Sequence, residues 1–596
     1  MNSTAARGSD ALHKDFAWRY MLMGAVMSVM PILIIFQMVR IQTNPAHVEY
    51  LRQQSSTYSG MVQTIIPPRG EIYDRWGHLL AGNKTVYEVG IELSQVRNPN
   101  TIALALSTLL GLDYNFVFTA ASQEASENAV YAVVANNVSK EQIDQLAELK
   151  DKVEEAYMGR ANDPSLRGVV WYPKLARSYP EKEMGSNLLG FVNREGKGFF
   201  GVEEQYNNLL AGNPKTLWKS FDPNQVELPP ELPEGASLVL TIDRAIQAAM
   251  EDVIDRAIET HGAESGTIVV VDPRSGEIMA MATTPRIDLN EYERQLGRYA
   301  DGTPFNRAIS QAYETGSVFK VLTMAAALDS GTVRPETTFV DTGIFEIGGT
   351  YIYNWNGGAW GPQDMTGCMR HSLNVCMAWL ATQMKAKTFY DYMQAFGIGH
   401  LTGVDMAGEN PGRLKLPGDE DWYDADLGTN SFGQGVSATP LQMATAISAV
   451  ANDGVMMTPH IVHSIVYKGY QYEIERRVSG RPISPQTARE LTEMLAVSLE
   501  VESSDALVSG YRVAGKTGTG EIPTPFGYTS NQTNASFVGW GPVDDIRFVV
   551  YVWLEKPQSS IWGSEVAAPV FREAVEELVV LLNLPPDDVR AQLQGK

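Results

Sequence analysis

Residues 20–38 form an apolar run of nineteen positions without a formal charge, interrupted only by Gly24, Ser28, Pro31 and Gln37. Wound as a helix, the run spans about 28 Å, close to the hydrocarbon thickness of a bilayer. A cleaved leader has an apolar core of only ~7–15 residues. Residues 37–42 (Gln-Met-Val-Arg-Ile-Gln) also offer no small-x-small cleavage site, so an uncleaved anchor over 20–40 is expected. Arg7, Lys14 and Arg19 precede the run, whereas Arg40 and Arg52 follow it. That bias places a short tail, 1–19, in the cytoplasm and the bulk of the chain outside.

Beyond the anchor the pattern changes at a proline-rich stretch, 222–235, which lacks any apolar period and reads as a linker. It separates a segment over 41–221 from a longer one over 236–585, with a tail at 586–596. The first segment mixes short extended pieces with helical periodicity, clearest over 140–156. The second opens with a strand at 237–242 and a helix at 244–260. Two apolar runs follow, 266–272 and 277–282, and Pro-Arg-Ser-Gly at 273–276 makes them a hairpin. Late strands are expected at 536–541 and 547–554, and a helix at 569–582. Strands at both ends with helices between them predict an α+β domain whose terminal segments share one antiparallel sheet.

Composition narrows the class. An apolar content of 44% with 20% charge excludes a disordered chain. The 70 acidic against 47 basic residues give a net charge of -23, which argues against a nucleic-acid partner. Cys368 and Cys376, eight apart, match no zinc pattern, and the eight histidines show no paired-ligand spacing. On one helix the two thiols would lie about 12 Å apart, beyond disulfide reach, so both are expected as small buried groups.

The chemistry concentrates in three places. Thr315 and Gly316 break the chain before an apolar helical run, which puts Ser317 in the first turn and Lys320 one turn on, on the same face. A serine hydroxyl becomes a nucleophile when a base takes its proton, and a lysine serves when burial or nearby cations lower its pKa. Ser372 and Asn374 add a hydroxyl able to relay a proton and an amide able to hold a carbonyl; a second Ser-x-Asn stands at 126–128. Lys516, Thr517, Gly518 and Thr519 offer a cation and two hydroxyls to a carboxylate, and on an edge strand Gly518 would admit a ligand close to the backbone. Tyr353, Trp355 and Trp360 could line a cleft. Arg69, Asp74 and Arg75 read as an ion-pair network, and Glu314 as an acid favouring a helix start.

Together, Ser-x-x-Lys, Ser-x-Asn and Lys-Thr-Gly resemble the active site of penicillin-binding proteins and serine β-lactamases. The resemblance extends to residues 67–83 and 198–212, similar to the pedestal of class B penicillin-binding proteins. Asn306-Arg-Ala308, Phe432-Gly-Gln-Gly435 and residues 537–542 resemble landmarks of their transpeptidase domain. Thr315 stands where the family commonly has proline, and Val318 where threonine is usual. The resemblance implies an α+β transpeptidase domain, an antiparallel sheet with helices on both faces, above an elongated mixed α/β pedestal (a dimerisation-type domain) and one transmembrane helix.

It implies a peptidoglycan D,D-transpeptidase that cross-links stem peptides ending in D-alanyl-D-alanine and is blocked covalently by β-lactams. Ser317 would be the nucleophile, Lys320 its base and Ser372 the proton relay to Lys516 and the leaving amine. Asn374 would hold the substrate backbone, Lys516, Thr517 and Thr519 the terminal carboxylate, and the N–H groups of Ser317 and Thr519 the oxyanion. Neither metal nor cofactor is called for. Residues 66–75 resemble the elongation type, penicillin-binding protein 2, more than the division type. A polytopic glycan polymerase of the RodA/FtsW type is the implied membrane partner. The competing readings are a β-lactamase or D,D-carboxypeptidase, with water as acceptor, and a non-catalytic scaffold or β-lactam sensor.

Overall fold

The computed structural model describes residues 10–43, 60–126, 129–157, 163–220, 232–502, 504–524 and 527–594. Most of the expected linker, 222–231, and Asn128 of the second Ser-x-Asn lie outside the described residues. The chain divides into two units, residues 1–67 with 213–232, and 68–212 with 233–596.

In the first unit, α1 (Asp10–Thr43) contains Pro31. Its stretch Trp18–Arg40 is exposed on every side, the one helix among the described residues long and apolar enough to cross a bilayer. Strands Gly60–Ile65 and Lys215–Ser220 pair antiparallel in this unit.

In the second unit the chain runs through β1 (Ile72–Tyr73), β2 (Leu79–Glu92), β3 (Tyr131–Val138), α2 (Lys140–Ala156) and β4 (Val169–Ser178). The helix expected at 140–156 starts on a capping box. The Ser139 hydroxyl accepts from Gln142 N, and the Gln142 side chain accepts from Ser139 N. Next come β5 (Ser237–Leu240), α3 (Arg244–His261), β6 (Ser265–Val271), β7 (Ile278–Thr283), α4 (Lys320–Asp329), α5 (Met365–Arg370), α6 (Asn374–Ala395) and α7 (Pro440–Ala451). The chain ends through β8 (Val462–Tyr467), β9 (Tyr470–Glu473), α8 (Pro485–Glu502), β10 (Ala514–Thr524), β11 (Gly527–Gly541), β12 (Phe548–Glu555) and α9 (Gly563–Leu581).

One sheet has the order β9-β8-β5-β1-β2-β3, with β4 also on β2, so strands from before and after the linker share it. The second, β7-β6-β12-β11-β10, is antiparallel throughout and joins the early hairpin to the late strands, as the sequence predicts. Alternate side chains of β6 feed opposite faces. Ile268 and Val270 pack with Ile246 and Val253 of α3 and Phe571 and Val575 of α9. Val269 and Val271 join the core holding Val321 of α4, Leu380 of α6 and Ile447 of α7.

Two expectations need correcting. Pro569 does not start the last helix; α9 begins six residues earlier at Gly563, a poor helix former held there by packing against Gly518. Arg69, Asp74 and Arg75 do not form one ion-pair network. Arg69 and Arg177 each donate through Nε to the fully buried Glu203 at 2.7 Å, and Arg75 pairs with Glu277 at 3.2 Å. Asp74 instead closes a turn, accepting from the N–H groups of Trp76 and His78 and contacting the His78 ring.

Candidate active site

Ser317 lies in a 3-10 turn, Gly316–Phe319, that runs directly into α4, and Lys320 N donates back to Ser317 O. Ser317 and Lys320 are therefore one turn apart, as their spacing predicts. The turn depends on Gly316, whose φ is +57° and where a Cβ would collide with the Thr519 carbonyl. Glu314 is not at a helix start. It sits on a two-residue strand paired with Ser437 and accepts from the Tyr528 hydroxyl at 3.0 Å; burial pushes its pKa up.

The Lys320 side chain is fully buried among the apolar residues of α4. Its amine donates to Ser372 O at 2.6 Å and Asn374 Oδ1 at 2.7 Å, and Ser372 Oγ lies at 3.1 Å. Burial, and next the charge of Lys516, hold its pKa well below the usual lysine value. A neutral amine has two N–H donors and one lone pair. The carbonyl of Ser372 and the amide oxygen of Asn374 only accept, so they take both donors and leave the lone pair for a hydroxyl proton.

Ser372 owes its place to a break between α5 and α6. Its φ is +52°, in the left-handed region that costs a non-glycine residue roughly 1–2 kcal/mol. That break overturns the expectation for the cysteines. Cys368 is on α5 and Cys376 on α6, so their Cα atoms approach to 6.1 Å and a disulfide joins them across the Ser372 turn. The helical separation of i and i+8 does not apply because no single helix carries both.

Lys516 to Thr519 lie on β10, the edge strand of the five-stranded sheet. Gly518 permits the strand to lie against the Ser317 turn: a Cβ there would strike the Ser536 hydroxyl and come 2.8 Å from Val318. Gly433, Gly520 and Gly563 make similar approaches, to Gly316, Glu314 and Gly518. Lys516 is buried, which lowers its pKa to about 8, and its amine reaches Thr517 Oγ1 at 3.2 Å. Thr519 Oγ1 accepts from Gly563 N at 3.1 Å, leaving its own proton free for a ligand.

The three elements thus meet at one place. Around it, Asn374 donates to the Tyr353 carbonyl at 3.0 Å, and the exposed Trp355 packs edge-on against Trp562 with ring centres 5.3 Å apart. Trp360 lies instead against His371. Sequence reasoning missed Tyr528 and Trp562, which reach the site from a hairpin and a helix cap with no local motif to mark them.

Residues 266–576 match the family model of the penicillin-binding protein transpeptidase domain, and 64–217 that of the penicillin-binding protein dimerisation domain. The chain belongs to the penicillin-binding proteins. This penicillin-binding protein is 31% identical over 534 residues to stage V sporulation protein D of Bacillus subtilis, covering 87% of this chain and 79% of that one. It is 26% identical over 593 residues to the peptidoglycan D,D-transpeptidase FtsI of Escherichia coli, covering 96% and 94%. Penicillin-binding protein 2X of Streptococcus thermophilus shares the fold, with a TM-score of 0.72 at 23% identity over 87% of this chain and 80% of that one. So does penicillin-binding protein 3 of Mycobacterium tuberculosis in complex with aztreonam, with a TM-score of 0.67 at 24% identity over 88% and 98%.

Proposed function

We propose that this penicillin-binding protein is a peptidoglycan D,D-transpeptidase working through an ester on Ser317. The observation that carries the reading is the buried Lys320 amine, one turn from Ser317, with both its N–H donors taken by Ser372 and Asn374. In the reaction the Ser317 hydroxyl passes its proton to Lys320, and its oxygen attacks the carbonyl between the two terminal D-alanines. The N–H groups of Ser317 and Thr519 receive the oxyanion; one such donor is worth about 10²–10³ in rate. The C–N bond then breaks, and the proton travels from Lys320 through Ser372 to the departing D-alanine amine. An amine of a neighbouring stem attacks the ester, gives up a proton by the same route, and Ser317 leaves with its hydroxyl restored. Lys516, Thr517 and Thr519 bind the terminal carboxylate, and Asn374 the substrate backbone. A β-lactam acylates Ser317 in the same way, but its amine stays tethered and the ester persists.

The catalytic domain lies outside the cytoplasmic membrane, with the N-terminus inside. The basic residues before the apolar run at 20–38 support this, as does the Cys368–Cys376 disulfide, a bond of oxidising compartments. A glycan polymerase of the RodA/FtsW type is the membrane partner proposed. The elongation role rests on residues 66–75, and a fluorescent fusion tests it by marking the lateral wall or the division site. The chemistry is tested by labelling the full chain with a fluorescent penicillin. Stable labelling lost in Ser317→Ala supports the acyl-enzyme, whereas a folded wild type that takes no label refutes it.

A further inference from the structure

His371 directly precedes Ser372, and three contacts fix it, two from the loop 354–360 and one from α8. Its ring lies nearly parallel to that of Trp360, with centres 3.9 Å apart, and its carbonyl accepts from Trp355 Nε1 at 3.2 Å. Its Nδ1 lies 2.5 Å from Glu502 Oε1, a close contact rather than an aligned hydrogen bond. Glu502 ends α8, the helix packed against both α5 and the Lys516 strand β10. We propose that His371 and Glu502 are positioning residues of this site, His371 holding the Ser372 turn against Lys320 and Glu502 supplying the counter-charge of Lys516. The inference rests on the transpeptidase reading above.

The site poses an electrostatic problem that this pair answers. Lys516 must stay protonated to hold a carboxylate and to keep Lys320 neutral, yet it is buried beside a second lysine. Glu502 from α8 acts on the Lys516 amine, Lys516 in turn acts on Lys320 from α4, and His371 lies against Glu502. Glu502 opposes the effect of burial and raises the Lys516 pKa. Removing its charge therefore lets Lys516 lose its proton at lower pH. His371 contributes in a different way. Its constant contribution is mechanical: with the ring clamped, Ser372 keeps the turn that offers both its oxygens to Lys320.

The test measures the second-order rate of acylation of the full chain by a fluorescent penicillin between pH 6 and pH 10, for wild type, Glu502→Gln, Glu502→Asp and His371→Ala. In Glu502→Gln the alkaline fall in rate should move about one unit towards acid, the low end for an opposite charge within reach, and Glu502→Asp should restore it. His371→Ala should lose about tenfold at every pH without moving that limb, as for a proton-transfer group poorly placed. A Glu502→Gln profile that superimposes on wild type overturns the proposal. So does wild-type acylation by His371→Ala, or a uniform loss in Glu502→Gln with a lowered melting temperature, which marks a structural role. A wild type that is not acylated at all refutes the transpeptidase reading instead.

Discussion

Replacing Cys368 and Cys376 together by serine removes a cross-link that closes a loop with a sequence separation of eight. In the chain-entropy picture the lost constraint on the unfolded chain is worth about 2.5 kcal/mol for such a loop. The folded state has little to offset it, because both positions are fully buried and serine exchanges an apolar contact for a hydroxyl. Urea unfolding of the full chain in detergent, followed by tryptophan fluorescence, reads the change. With a slope of about 3 kcal/mol per molar, the midpoint falls by about 0.8 M. Reductant should lower the wild-type midpoint to the same value and leave the double variant unmoved. A variant within 0.2 M of wild type under oxidising conditions refutes the argument, and a reductant effect that persists in the variant shows that another process was being read.

Acylation by penicillin should fall as pH rises through about 8, because Lys516 loses the proton that binds the carboxylate; Lys516→Arg keeps its charge and should abolish that limb. Gly563→Ala would drive a Cβ into the Gly518 carbonyl, so a loss of about 1–3 kcal/mol and slower acylation are expected from thermal melts and labelling. Glu203→Gln leaves Arg69 and Arg177 buried beside a neutral group, and a loss of about 3–5 kcal/mol is expected in denaturation.

Much of the fold was legible because local signals agree with the global answer. The 273–276 turn, the β-branched runs beside it and the apolar period over 140–156 each fix an element without distant help. The Ser317 turn was legible for the same reason, since Gly316, Ser317 and Lys320 encode break, hydroxyl and amine within one turn. The Ser372 turn was not. Nothing in Ser-Leu-Asn announces a left-handed residue, and without that break the cysteine spacing points the wrong way. Glu502 was equally hidden, because its neighbours His371 and Lys516 come from elements brought together only by the packing of α8. His371 at least carried a signal, as a titratable ring next to the proposed relay.

The approaches of Gly316 to Thr519, Gly433 to Gly316, Gly520 to Glu314 and Gly563 to Gly518 are made main chain to main chain. For drug resistance this has a direct consequence. A selected substitution can change inhibitor affinity cheaply only where a side chain can be exchanged, and main chain rather than side chains makes these approaches around Ser317. Substitutions that keep the fold are therefore channelled outward, to exposed side chains such as Tyr528 and Trp355.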